Sequence, residues 1–276
     1  MKKSVVTAVV ITMAMLVLPL RAVAQDEISY SGSSTIGTGI LDAGAVKAFE
    51  AKTGIKFKSV EQPGSGKGVK ALLEGKVTLG GASRALRADE KKELMSHTIG
   101  YDAIAVFVHK NNPVKNLSKS QLQGIFTGKI KNWKEVGGKN ALIHPNTEIL
   151  GNKRATTEFF QEHVLDGAPF GAGFKEIDFP RDQIVEIAKD EHGICGVSLG
   201  LQASTSSEVK GNVKTISVNS IEPTDRDVKS GAYMISRPLV LATKGLPKGD
   251  VKKFIDFMQS KEGQEIVSRN FVPIKK

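Results

Sequence analysis

Four short stretches of the chain gather groups that can hold a tetrahedral anion. They are Ser31-Gly32-Ser33-Ser34-Thr35, Pro63-Gly64-Ser65-Gly66-Lys67-Gly68, Gly80-Gly81-Ala82-Ser83-Arg84 and Gly151-Asn152-Lys153-Arg154-Ala155-Thr156-Thr157. Glycine lets an anion approach the backbone, Ser and Thr add short hydroxyl donors, and arginine offers a planar fork of N–H groups. In open α/β sheets ligands sit beyond the carboxyl ends of strands, where helix N-termini point unpaired N–H groups and a partial positive charge. One Gly/Ser-rich turn is an ordinary loop. Several in one chain, each where a strand pattern gives way to a helix, describe an oxyanion site.

Catalytic readings of the same residues fit less well. A nucleotide P-loop ending at Gly66-Lys67 needs glycine at position 61 and Ser or Thr at 68, where the chain has Glu61 and Gly68. No GxSxG elbow is present, and Ser33, Ser34 and Ser65 lack a flanking His or Asp to activate them. A hydrolase acting on a phosphate ester stays open as an alternative, because triad partners can lie far apart in sequence. The five histidines, His97, His109, His144, His163 and His192, occur singly without metal-ligand spacing, so neither a metal nor a cofactor is expected.

The elements that must position these clusters alternate between β-branched runs and amphipathic stretches, the pattern of an α/β protein with largely parallel sheets. Strands are expected at 28–31, 55–60, 77–80, 101–109, 148–150, 194–198, 213–217 and 233–243. Helices are expected over 42–52, with Val46 and Phe49 on one face, and over 67–75, with Val69, Leu72 and Leu73. Ser118 and Gln121 form a capping box ahead of Leu122, Ile125 and Phe126. Residues 250–269 read as two terminal helices with Val251, Phe254, Ile255, Met258 and Ile266 inward.

Residues 1–24 carry the marks of a cleaved secretory signal. Lys2 and Lys3 precede an apolar run from Val5 to Leu18, and Ala22-Val23-Ala24 gives a small-x-small cleavage site before Gln25. That segment holds three of the 39 Lys and Arg and none of the 29 Asp and Glu, which leaves residues 25–276 at +7. The lysines are scattered rather than clustered beside aromatics, so no nucleic-acid partner is expected. The single Cys195 lies in an apolar strand-like run and has no disulfide partner within the chain.

With these residues in view, the chain resembles the phosphate-specific substrate-binding proteins of ABC transporters, within the periplasmic binding protein superfamily. The resemblance covers nearly all of residues 25–276. It is most specific over Tyr101–Val108, Asn112-Pro113-Val114, Gln121-Leu122 and Ile125–Ile130, Trp133 to Gly138, Ser236-Arg237-Pro238-Leu239 and Ser260–Gln264. It implies a two-lobed α/β fold, each lobe a mixed sheet flanked by helices, with the ligand in the inter-lobe cleft. The first lobe would comprise 25–106 and 236–276, and the second 107–235. It further implies a monomeric, non-enzymatic periplasmic receptor that delivers inorganic phosphate, or a similar tetrahedral oxyanion such as sulfate, arsenate or molybdate, to an inner-membrane ABC permease.

Contacts carried over from the family fall on Ser34, Thr35, Ser65, Ser83, Arg84 and Thr156. Against the family's Arg-x-x-x-Ser-Gly-Thr motif the chain has Leu150 in place of arginine, Arg154 in place of serine and Ala155 in place of glycine. Arg154 either replaces the missing charge in the site or points to solvent. Arg84 occupies a position that is aspartate in some members. An aspartate accepts the proton of hydrogen phosphate and sulfate has none to offer, so selectivity between the two stays open. Trp133 and Phe126 read as packing residues, and Arg237 as a hinge residue.

Overall fold

The computed structural model describes residues 27–152 and 154–274, so the signal segment read over 1–24 lies outside the described residues. The chain opens with three parallel strands, β1 (Ile28–Gly32), β2 (Phe57–Glu61) and β3 (Leu79–Ala82), in the order β2-β1-β3. After β1, a helical turn α1 (Ser34–Ile36) widens over Gly37–Ala45 and continues into α2 (Val46–Thr53). The helix expected over 42–52 therefore starts earlier. It stops at Gly54, whose φ of 73° suits a left-handed cap that residues with a Cβ adopt at a cost. Between β2 and β3 runs α3 (Ser65–Leu73).

The long strand β4 (Leu94–His109) joins two sheets. Residues 94–103 pair antiparallel with β10 (Ser236–Lys244), which itself pairs with β3, and β11 (Val272–Pro273) pairs at Gly100 and Tyr101. From Ile104 onward β4 changes partners, to β8 (Gly193–Ser198) and β9 (Val213–Val218). The second sheet extends from β8 through β6 (His144–Glu148) to β7 (Lys175–Ile177), all parallel, and β5 (Asn116–Leu117) lies along β9. Helices α4 (Lys119–Phe126), α5 (Ala155–His163), α6 (Pro180–Ile187), α7 (Ser207–Asn212) and α8 (Asp225–Ser230) surround it. The terminal pair α9 (Gly249–Gln259) and α10 (Lys261–Val267) returns to the first sheet.

The result is a two-lobed mixed α/β fold, each sheet with its own core. Phe49, Phe254 and Met258 fill the first, and Phe126, Trp133 and Phe160 the second. The inward residues of the terminal helices and the Ser118–Gln121 capping box are as the periodicity predicts. The strand expected at 148–150 lies at 144–148 instead, because Leu150–Asn152 close into a tight turn ahead of α5. Cys195 is fully buried on β8, and burial pushes its thiol far above its usual range, so it is an inert core residue.

Candidate functional site

The three clusters of the first lobe are tied together by backbone hydrogen bonds at the carboxyl ends of β1 and β3. Ser33 N donates to Gly81 O at 2.9 Å, and Gly64 N donates to Gly32 O at 3.0 Å. This close approach depends on glycine. A Cβ on Gly68 would sit 2.3 Å from Gly32 Cα, and one on Gly32 would sit 2.4 Å from Gly81 O. Ser33 caps α1 through its Oγ, which accepts from Ile36 N at 3.3 Å, and Tyr30 Oη donates to Ser33 O at 3.0 Å. Ser65 begins α3, and its Oγ accepts from Ser83 N at 3.1 Å and lies 3.5 Å from Ser83 Oγ. The first N–H groups of α3 have no intrahelical acceptor, as at any helix start.

Arg84 is locked to Glu90. Its Nη1 and Nη2 each donate to one Glu90 carboxylate oxygen at 2.8 Å, and Nη1 also donates to Ala85 O at 2.9 Å. Burial tends to raise the Glu90 carboxyl, but the Arg84 fork and the Arg87 N–H overcome it and hold the group below its usual range. Of the three Arg84 guanidinium nitrogens, Nε alone has no hydrogen-bond partner among the described residues. The charge expected to serve an anion is thus largely balanced.

The second lobe contributes the start of α5. Arg154 stands at its N-cap position, with Nη2 donating to Asp178 Oδ1 at 2.9 Å and Nε 4.0 Å from Glu148 Oε1. Thr157 Oγ1 donates to Glu148 Oε2 at 2.6 Å, and burial pushes the Glu148 carboxyl above its usual range against the pull of Thr157 and Arg154. Arg154 and Ser34, from different lobes, line one cavity of about 230 Å³, shared with Gln62, Phe179 and Arg181. A further contact between the lobes joins Arg87 Nη2 to Glu158 of α5 at 3.0 Å.

The two lobes converge on a group that the sequence pattern did not assign to the ligand. Arg237 and Asp102 are cross-strand partners on β10 and β4, so their side chains share one face of the sheet. Arg237 Nε and Nη2 donate to Asp102 Oδ2 at 3.1 and 2.9 Å, while Ser198 Oγ donates to Asp102 Oδ1 at 2.8 Å. Arg237 Nη2 also reaches Thr35 Oγ1 of the first lobe at 3.3 Å and Thr156 Oγ1 of the second at 3.1 Å. Two expected ligand residues, 121 positions apart in the chain, therefore meet on one guanidinium nitrogen. Burial pushes the Asp102 carboxyl upward, with Arg237 and Ser198 opposing it. The signal for this pair was available. Asp102 lies within the apolar run of β4 and Arg237 at the start of the apolar run of β10, and charges in such runs are buried only when paired.

Residues 21–262 match the PBP superfamily domain, which defines the class of this two-lobed fold. The phosphate-binding protein PstS of Bacillus subtilis strain 168 is 31% identical over 259 residues, spanning 91% of this chain and 82% of its own. A solved structure from Clostridium perfringens, of a putative phosphate ABC transporter substrate-binding protein with bound phosphate, superposes with a TM-score of 0.78 at 33% identity. It covers 90% of this chain and all of its own. An ABC-type phosphate transport receptor from Vibrio cholerae shares the fold, with a TM-score of 0.76 at 23% identity, over 89% of this chain and 99% of its own. The chain belongs to the PstS family of phosphate-binding proteins. Among the described residues no helix is long and apolar enough to cross a membrane.

Proposed function

We propose that this chain is a periplasmic receptor that closes its two lobes on inorganic phosphate and delivers it to an ABC permease. The first lobe is taken as 25–106 with 236–276 and the second as 107–235. The exchange of β4 partners between Ala103 and Ile104 supports a division close to these limits. Residues 1–24 act as the export signal.

In this reading the anion lies where the strand ends of both lobes meet. Ser34, Thr35, Ser65 and Ser83 supply hydroxyl donors from the first lobe, and the Thr156 hydroxyl and the Arg154 guanidinium N–H groups come from the second. Arg84 contributes through Nε alone, since its other nitrogens are held by Glu90. The first N–H groups of α3 and α5 add oriented backbone donors and the positive end of the helix dipole. Nothing in the arrangement activates a nucleophile: Ser34, Ser65 and Ser83 have no imidazole or carboxylate partner among their hydrogen bonds within the described residues. The receptor binds and releases phosphate unchanged.

The observation that carries this proposal is the convergence of Thr35 and Thr156, one from each lobe, on one buried cationic group. Such a site is complete only when the lobes are together, which is how a binding protein couples capture to closure. Phosphate should raise the melting temperature, since a ligand of the folded form adds RT ln(1 + [L]/Kd), about 4 kcal/mol at 1,000 times Kd. A melt unmoved by phosphate, sulfate and arsenate alike rejects the anion-receptor reading. Turnover of a chromogenic phosphate ester would favour the hydrolase instead.

A further inference from the structure

Arg237 is the only arginine among the described residues with less than 2% exposure, and its position is unusual for a residue that merely pins two strands together. Its Nε and Nη2 are fully engaged by Asp102, Thr35 and Thr156. Its Nη1 is equally buried, yet no described residue accepts a hydrogen bond from it. A guanidinium nitrogen left without an acceptor inside a protein costs the full desolvation of a charged donor, so such atoms are rare unless something else accepts from them. The two hydroxyls that accept from its twin Nη2 belong to Thr35 and Thr156, residues that the proposed function already gives to the anion.

Resting on that proposed function, we infer that Arg237 is the principal cation of the anion site and donates to a phosphate oxygen through Nη1. Asp102 is its positioning residue. Both Asp102 oxygens already accept from Ser198 or Arg237, so the carboxylate orients the guanidinium rather than touching the ligand. Thr35 and Thr156 each have a hydroxyl proton to donate while accepting from Arg237, so one phosphate oxygen set can collect donors from three elements. Arg237 also stands at the start of β10, where the chain passes back from the second lobe to the first, opposite Asp102 of β4, the strand that joins the two sheets. A ligand that engages Nη1 therefore links the crossing strands directly to both binding loops.

The experiment compares phosphate titration calorimetry and melting of the full chain with those of two variants. Arg237→Lys keeps a cation opposite Asp102 but loses the second arm of the fork. It should melt cooperatively while phosphate affinity falls at least 100-fold. The neutral pair Asp102→Asn with Arg237→Gln removes the ion pair without orphaning either charge, and it should fold but not bind. A structural role alone would leave both folded variants binding phosphate within about three-fold of the parent, and that result overturns the inference. If neither variant folds, the parent decides through its arginine side-chain nitrogen resonances. The protected guanidinium signals must move when phosphate is added, and their failure to move at saturation overturns the inference as well. A parent that binds no tetrahedral anion refutes the underlying function, and this inference with it. A parent that binds alongside a folded variant that binds equally refutes the role of Arg237 alone.

Discussion

Replacing Arg84 by alanine separates its structural role from a binding role. The substitution removes two 2.8 Å bonds to Glu90, in a pair whose side chains are 10% and 7% exposed. Glu90 is then left buried with the Arg87 N–H as its remaining donor, 2.7 Å from Oε2. Breaking a buried pair on one side costs about 3–5 kcal/mol. At about 2–4 °C per kcal/mol for a chain of this size, the melting temperature should fall by about 10 °C. The pH dependence has a definite sign. In the parent, Glu90 titrates below its unfolded value, so its contribution to stability is present above that value and is lost as pH falls through the folded one. In the variant an unpaired buried Glu90 titrates above its unfolded value, and acid relieves it. The difference in melting temperature between parent and variant should therefore shrink between pH 7 and about pH 4. Scanning calorimetry across that range is the assay, with Arg84→Met/Glu90→Leu as the control that recovers most of the loss. A variant that melts within about 2 °C of the parent yet loses ten-fold or more in phosphate affinity would show that Arg84 is chiefly an anion ligand rather than a partner of Glu90, and that the reasoning from Glu90 is wrong.

Two further outcomes follow from contacts around the cleft. Gly68→Ala would place a methyl 2.3 Å from Gly32 Cα and 2.4 Å from Ser31 O, both backbone atoms, so urea unfolding should register a loss of about 3 kcal/mol or more. A loss below about 1 kcal/mol would mean that α3 can slide away from β1 without consequence. Glu148→Gln keeps an acceptor for Thr157 Oγ1 but removes a buried charge held above its usual titration range, so the variant should melt higher at pH 7. With a carboxylate removed beside Arg154, sulfate should also bind roughly ten-fold more tightly and the phosphate-to-sulfate ratio should fall. An unchanged ratio in competition calorimetry would place Glu148 away from the anion.

The parts of the fold that were legible in the sequence are those set by local chemistry. The Ser118–Gln121 box, the inward residues of the terminal helices and the buried run around Cys195 each depend on neighbours within a few positions. Helix α6 also had a local signal in Pro180 at its first turn, which a reading centred on the glycine clusters passed over. What stayed hidden was set by distant partners. Glu90 captures Arg84 from six residues along a loop with no regular period, and Asp102 meets Arg237 across 135 positions. Arg237 reads from the sequence as a hinge residue, but nothing local to Ser236-Arg237-Pro238-Leu239 shows that Thr35 and Thr156 fold onto it. Family resemblance pointed to the loops as a group, while the orientation of each cation depends on the carboxylate it pairs with, Glu90 for Arg84, Asp178 for Arg154 and Asp102 for Arg237.

The most direct test of the central claim is calorimetric titration of the full chain with phosphate at pH 7, repeated with sulfate as competitor. The account predicts one phosphate per chain, bound far more tightly than at a surface site, with Kd at or below about 1 μM, near −8 kcal/mol. Heat that is absent, non-saturating or abolished by modest salt would contradict a closed two-lobed anion site.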